Sequence, residues 1–219
     1  MRYEHLGGGA FAAVTPDYTF GEDALRLARF AAPQAGERIC DLGTGCGILA
    51  VLLLREGAES AAVVDIQPEA VRLAALSLEK SGFAGRYRAV CADWAALAES
   101  GLPREGFDRV VCNPPYFPAG RGGVPAGEAR RIARHEEAGA LPAACRAAAR
   151  LMRFGGRFCL CHRPERLIDV TENLRAAGLE PKRLRPVCRR AGDAPWLFLL
   201  EARRGGKPGL LWEAPDGSL

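Results

Sequence analysis

From about Arg38 to Glu201, short apolar runs alternate with longer amphipathic stretches, and few architectures accept that rhythm. An all-helical chain would lack the short runs, and an all-β chain would lack the 3.6-residue periodicity between them. The alternation predicts an α/β fold with a mostly parallel, seven-stranded sheet and helices on both faces. Strands are expected at 38–42, 61–65, 86–91, 107–112, 157–162, 184–188 and 196–202. Helices are expected at 48–55, 68–81, 94–100, 137–152 and 164–177. Pro68 stands in a first helical turn, where its missing N–H costs nothing, while Gly82 and Gly178 stand just past helix ends. A further helix is expected after Gly21, with Glu22 and Asp23 at its positive end.

The domain reading follows. Residues 1–36 form an N-terminal segment whose helix could close over a site, 37–202 the core, and 203–219 an extended tail rich in Gly and Pro. No run reaches the roughly 20 apolar residues of a membrane span, and the first residues do not read as a signal peptide, so a cytoplasmic location is expected. The eight cysteines lack CxxC spacing and read as buried free thiols, with Cys159 and Cys161 on one face of a strand; no metal is expected.

Net charge is +4, but residues 1–110 carry 11 basic and 15 acidic side chains against 19 and 11 in residues 111–219. Of the 30 basic residues 27 are arginine, which suits phosphate binding and equally suits a compositional bias. Arg130, Arg131, Arg134 and His135, and later Arg163, Arg166, Lys182, Arg183, Arg185, Arg189 and Arg190, are either phosphate contacts or a solvated surface. His135 and His162 lack metal-ligand spacing and read as hydrogen-bonded structural residues or contacts to a phosphate-bearing partner rather than as catalytic bases.

Two motifs carry the chemistry. Asp41-Leu42-Gly43-Thr44-Gly45-Cys46-Gly47 leaves a strand and opens a helix, so its glycines permit a tight turn and close approach of a ligand. Asp65 ends the next strand where a carboxylate meets ribose hydroxyls, and Asp93 ends the third. The Gly-x-Gly-x-Gly spacing and the acidic Asp41 disfavour a pyrophosphate and favour a ligand with an ammonium group, such as S-adenosylmethionine. The plainer reading is that Asp41 caps the helix.

Asn113-Pro114-Pro115-Tyr116 follows the fourth strand. The prolines remove two donors, leaving the Asn113 amide oxygen and the Pro114 carbonyl as acceptors beside an aromatic ring: a receptor for a planar –NH2 group. Two acceptors on its hydrogens aim the nitrogen lone pair at an incoming methyl, so positioning and electrostatics do the catalysis. Tyr116, with Phe117, would stack on a flipped-out base.

With these motifs the chain resembles the Rossmann-like class I S-adenosylmethionine-dependent methyltransferases, and in detail the bacterial tRNA (valine) adenine-N6-methyltransferase family. The narrower likeness rests on Tyr18-x-Phe20-Gly21-x-Asp23-Ala24-Leu25, Ala133-Arg134-His135-Glu136, His162-Arg163-Pro164-Glu165-Arg166-Leu167 and Gly205-Gly206-Lys207-Pro208-Gly209. The resemblance implies N6-methylation of an adenosine next to the anticodon of a tRNA. Catalytic work would fall to Asn113, Pro114, Pro115 and Tyr116. The cofactor would lie against Gly21, Asp41, Gly43, Thr44, Gly45, Gly47, Asp65, Ile66, Asp93 and Trp94, and the RNA against Phe117, Arg134, His135, Arg163, Arg183 and Arg185. Rival substrates are rRNA bases and a protein glutamine, and the rival class is a non-catalytic RNA-binding module. Monomer and homodimer both remain open.

Overall fold

The computed structural model describes residues 1–114 and 139–217, together with the backbone pairing of 117–118 and 135–136. A short hairpin, β1 (Arg2–His5) and β2 (Phe11–Val14), leads into α1 (Glu22–Ala31). The core then runs β3 (Arg38–Leu42), α2 (Ile48–Arg55), β4 (Ser60–Asp65), α3 (Pro68–Lys80), β5 (Tyr87–Cys91), a 3-10 turn (Trp94–Glu99) and β6 (Phe107–Cys112). The two-residue strands β7 (Phe117–Pro118) and β8 (His135–Glu136) pair with each other. The chain continues through α4 (Ala140–Leu151), β9 (Met152–His162), a 3-10 turn (Pro164–Arg166), α5 (Leu167–Ala176), β10 (Leu179–Val187), β11 (Leu197–Arg204) and β12 (Leu211–Trp212).

Eight strands form one sheet in the order β12-β10-β11-β9-β6-β3-β4-β5. Only β11 runs against the others. The seven expected strands are all present, and the alternation of side chains across them separates two cores. Ile39, Ala61, Val63, Val111, Cys159 and Cys161 pack under α1, α2 and α3, while Cys40, Leu42, Val64, Cys112, Phe158 and Leu160 pack under α4 and α5. Cys159 and Cys161 thus share a face as expected, and seven of the eight free thiols are buried, Cys91 being exposed.

The helix expected at 94–100 is a 3-10 turn, and the one expected at 164–177 opens with one; four further differences each have a local reason. The β1–β2 hairpin turns on three successive glycines with positive φ, Gly7 to Gly9, and its strands are too short to show a period. β9 begins at Met152, five residues early, because its first part carries the irregular pairing between Phe107 and Arg109 of β6. β10 extends back through Pro181, which a bulge accommodates. Part of the segment read as a tail is sheet: 203–204 complete β11, and β12 adds a parallel edge strand to β10.

Ser77 ties the hairpin to the core. Its buried hydroxyl accepts from the Ala13 N–H at 2.8 Å and lies 2.6 Å from the Cys46 carbonyl that it can donate to. Ser77→Ala leaves a buried donor and a buried acceptor unsatisfied, which should cost about 1–3 kcal/mol. A lowered urea midpoint at unchanged slope is the expected signature.

Among the described residues no helix is long and apolar enough to cross a membrane.

Candidate active site

In the sheet, β3 lies between β6 and β4, so the chain steps to opposite sides of it; ligands of open α/β sheets bind at such a switch point, beyond the carboxyl ends of the strands. Asp41 in β3, Asp65 at the end of β4, Asp93 just after β5 and Asn113 just after β6 all stand at that edge of four contiguous strands.

The glycine loop is stitched to β4. Gly43 and Thr44 both donate their N–H to the Val64 carbonyl, at 2.8 and 3.0 Å. Gly45 N–H donates to one oxygen of Asp65 and Gln67 N–H to the other, each at 3.0 Å. Gly47, at φ 81°, is required twice: a side chain there would be strained, and its Cβ would lie 2.8 Å from the Ala74 Cα of α3. Gly45 also has positive φ, but a Cβ there meets nothing within 4 Å, so the loop is open on that side. The Trp94 ring lies over Gly43, its Cζ2 3.0 Å from where a Cβ would stand.

Asp41 is fully buried on the face that α2 covers. Oδ2 accepts from the Thr44 hydroxyl at 2.8 Å, and Oδ1 makes no hydrogen bond of normal geometry. Burial pushes its pKa up to about 7, against the opposing pull of the Thr44 hydroxyl and the Ala50 N–H. Burial likewise raises Asp65, opposed by the N–H groups of Gln67 and Gly45. These residues fit the cofactor that the sequence implies: a buried carboxylate oxygen in want of a cationic donor, an open glycine turn, a second carboxylate one strand over, and Ile66, 54% exposed, as apolar surface for a planar ring. Asp93 is exposed and accepts from the Ala95 N–H at 2.8 Å, so it caps the 3-10 turn.

Asn113 is held from both sides. Its Nδ2 donates to Asp23 Oδ2 at 3.2 Å, and its Oδ1 accepts from the Cys161 thiol at 3.1 Å. The nitrogen edge of the amide therefore faces Asp23, and the oxygen edge faces the end of β9. Gly21 makes room for that carboxylate, since a Cβ at Gly21 would lie 2.8 Å from Asp23 Oδ1. Pro114 is buried. Pro115, Tyr116 and Arg134 lie outside the described residues. The sequence reading missed Asp23 and Cys161 as partners of Asn113, having assigned the first to the helix dipole and the second to the core; no local signal pairs positions 90 and 48 residues apart.

The expected RNA contacts divide. Phe117 and His135 are brought opposite each other in the β7–β8 pair. Arg163 follows β9 at the site edge and donates to the Trp196 carbonyl at 3.2 Å. His162 is buried, and burial lowers its pKa to about 4, so it is neutral and suits a structural role. Arg183 and Arg185, however, lie along β10 over the Phe30 ring. Arg183 pairs with Glu213 and Glu201 at 2.7 and 3.1 Å, and Arg185 with Glu213 at 2.7 Å. Their charges are spent within the fold, in a network that also holds the buried Arg109 between Glu37 and Glu201.

A family model described as a methyltransferase domain matches residues 33–189. The chain belongs to the S-adenosylmethionine-dependent methyltransferase family. A tRNA1(Val) (adenine(37)-N6)-methyltransferase of Tolumonas auensis is 30% identical over 182 residues, 82% of this chain and 74% of the relative. Two other relatives of that name are spanned over only 40% and 56% of their length. A release factor glutamine methyltransferase of Rhodospirillum rubrum is 42% identical over 86 residues, which is 38% of this chain and 25% of that one. Among solved structures, a predicted O-methyltransferase from Agrobacterium tumefaciens superposes with a TM-score of 0.71 at 26% identity, covering 88% of this methyltransferase and 86% of that chain.

Proposed function

We propose that this methyltransferase modifies the exocyclic N6 of an adenosine beside the anticodon of a tRNA. The observation that carries the reading is the Asn113 amide, clamped between Asp23 and Cys161 at the switch point next to the Asp41 loop. When bound, S-adenosylmethionine supplies the activated methyl group. Asp41 would bind its ammonium end, Asp65 its ribose, and Ile66 and Trp94 its planar ring.

The residues of this chain supply position. Asn113 Oδ1 and the Pro114 carbonyl accept the two hydrogens of the target amine, which directs the nitrogen lone pair outward and localises it. Proton loss follows transfer and needs no dedicated base, because the methylated amine is strongly acidic while cationic. Pro115 would keep the turn rigid, and Tyr116 and Phe117 would hold the base by stacking. His135 and Arg163 would contact the RNA.

Adenine in tRNA is favoured by the relative spanning three-quarters of its own length. A glutamine amide presents the same –NH2 geometry, and the higher local identity to the release factor enzyme keeps it as a second reading. A tRNA substrate places the work in the cytoplasm.

The test is incubation with labelled S-adenosylmethionine and separate tRNA, rRNA and release-factor pools, followed by mass spectrometry of the labelled product. N6-methyladenosine in tRNA is expected. Label confined to a release-factor glutamine, or absent from every pool, overturns the proposal.

A further inference from the structure

A second concentration of positive charge lies at the opposite end of the sheet from the Asp41 loop. A cleft of about 420 Å³ opens between the start of β9 and the turn after β11, lined by Arg153, Phe154, Lys182, Arg203, Arg204 and Lys207. Two of these cations are already matched: Arg153 pairs with Asp108 at 2.5 Å, and Arg204 with Glu105 at 2.8 Å. Three are not. Lys182 Nζ donates to the Lys207 carbonyl at 2.9 Å, which braces the turn without neutralising a charge. Arg203 and Lys207 are exposed, and no carboxylate pairs with either among the described residues.

Three unmatched cations around one cleft repel each other unless an anion joins them. The backbone there is stripped for close approach, since Gly155, Gly205 and Gly206 also line the cleft. Gly205 adopts φ 67°, and a Cβ there would stand 2.1 Å from the Phe154 ring. Only glycine lets that ring lie over the turn, where it is 72% exposed. Cations flanking a presented aromatic face suit a polynucleotide, whose phosphates take the charges and whose bases stack; an inorganic anion would leave the ring unused.

The spacing is compatible with the site. β11 starts at the carboxyl edge, where Phe198 pairs with His162, and reaches the cleft at Arg203, five residues later. At roughly 3.3 Å per residue this is about 17 Å, or about five nucleotides along one strand of a helix.

We infer that this cleft is a second RNA-binding site, holding backbone phosphates and one base of the substrate while a distant nucleotide occupies the Asn113 receptor. The inference rests on the RNA reading above, and it gives the Gly205-Gly206-Lys207-Pro208-Gly209 turn a task.

The test is equilibrium binding of labelled total tRNA to the full chain across a salt series, without methyl donor, with S-adenosylmethionine affinity measured separately as a check on folding. Arg203→Glu with Lys207→Glu should weaken tRNA binding at least tenfold and leave cofactor affinity unchanged. The milder Arg203→Gln with Lys207→Gln should reduce the salt slope by about 2. Phe154→Ala should cost about tenfold. Unchanged affinity and slope overturn the site, as does polyglutamate competing as well as RNA, which would point to an acidic protein. If the variants lose RNA affinity but the wild type methylates no tRNA, the cleft stands and the substrate reading falls. Unchanged variants with active tRNA methylation give the reverse.

Discussion

Asn113→Ala should reduce methyl transfer by at least about 10²-fold while leaving cofactor affinity within about twofold. The substitution removes the acceptor proposed for the target amine and withdraws a partner from Asp23 and Cys161. It touches none of the hydrogen bonds that pin the glycine loop, which run from Gly43, Thr44 and Gly45 to β4. Single-turnover rates and calorimetric titration of the cofactor separate the two effects. Asp23→Ala is the companion variant: it keeps the Asn113 amide and its Cys161 contact but removes the carboxylate that anchors the nitrogen edge. A fall in kcat of about tenfold with little change in KM is expected for a positioning residue. Full turnover by Asn113→Ala would remove the amine receptor from the mechanism, and with it the case for N-methylation over other acceptors.

The strands nearest the site were the most legible. Ile39-Cys40 of β3 and Val110-Val111-Cys112 of β6 are short buried apolar runs, and the polar residues that directly follow them, Asp41 and Asn113, stand out by contrast. Asp65 was legible for the same reason. What escaped was contact across long separations. The Asp23 carboxylate and the Cys161 thiol meet Asn113 only because α1 and β9 converge on the end of β6. Arg183 and Arg185 show the converse: residue type suggested phosphate contacts, while the fold lays them over Phe30 and against Glu213. Clustered arginines in a sequence do not reveal which carboxylates the tertiary structure will bring to them. Arg203 and Lys207, unremarkable in the chain, are left without such partners and so become the stronger candidates for RNA.

Asp41→Asn should stabilise the protein without cofactor and weaken its hold on the cofactor, because the two properties pull on one carboxylate. With a folded-state pKa of about 7, Asp41 binds its proton more tightly in the folded chain than in the unfolded one, where the value is about 3.9. Wild-type stability from this group is therefore fully present below about pH 4 and is lost as pH rises towards 7. The three-unit gap bounds the loss at about 4 kcal/mol, and relaxation around the charge will reduce it. Asparagine keeps the shape and an acceptor for the Thr44 hydroxyl but has no charge to desolvate. Its melting temperature should exceed the wild-type value at pH 8, and this difference should vanish near pH 4. Cofactor binding should show the opposite preference. An ammonium group beside Oδ1 stabilises the charged form, so wild-type affinity should rise through pH 7 with proton release, while the variant binds weakly and without that dependence. Calorimetry in two buffers of different ionisation heat measures the released proton directly. A flat wild-type affinity between pH 6 and 8 would mean that the carboxylate is ionised without the ligand, and that its buried oxygen is not what the cofactor satisfies.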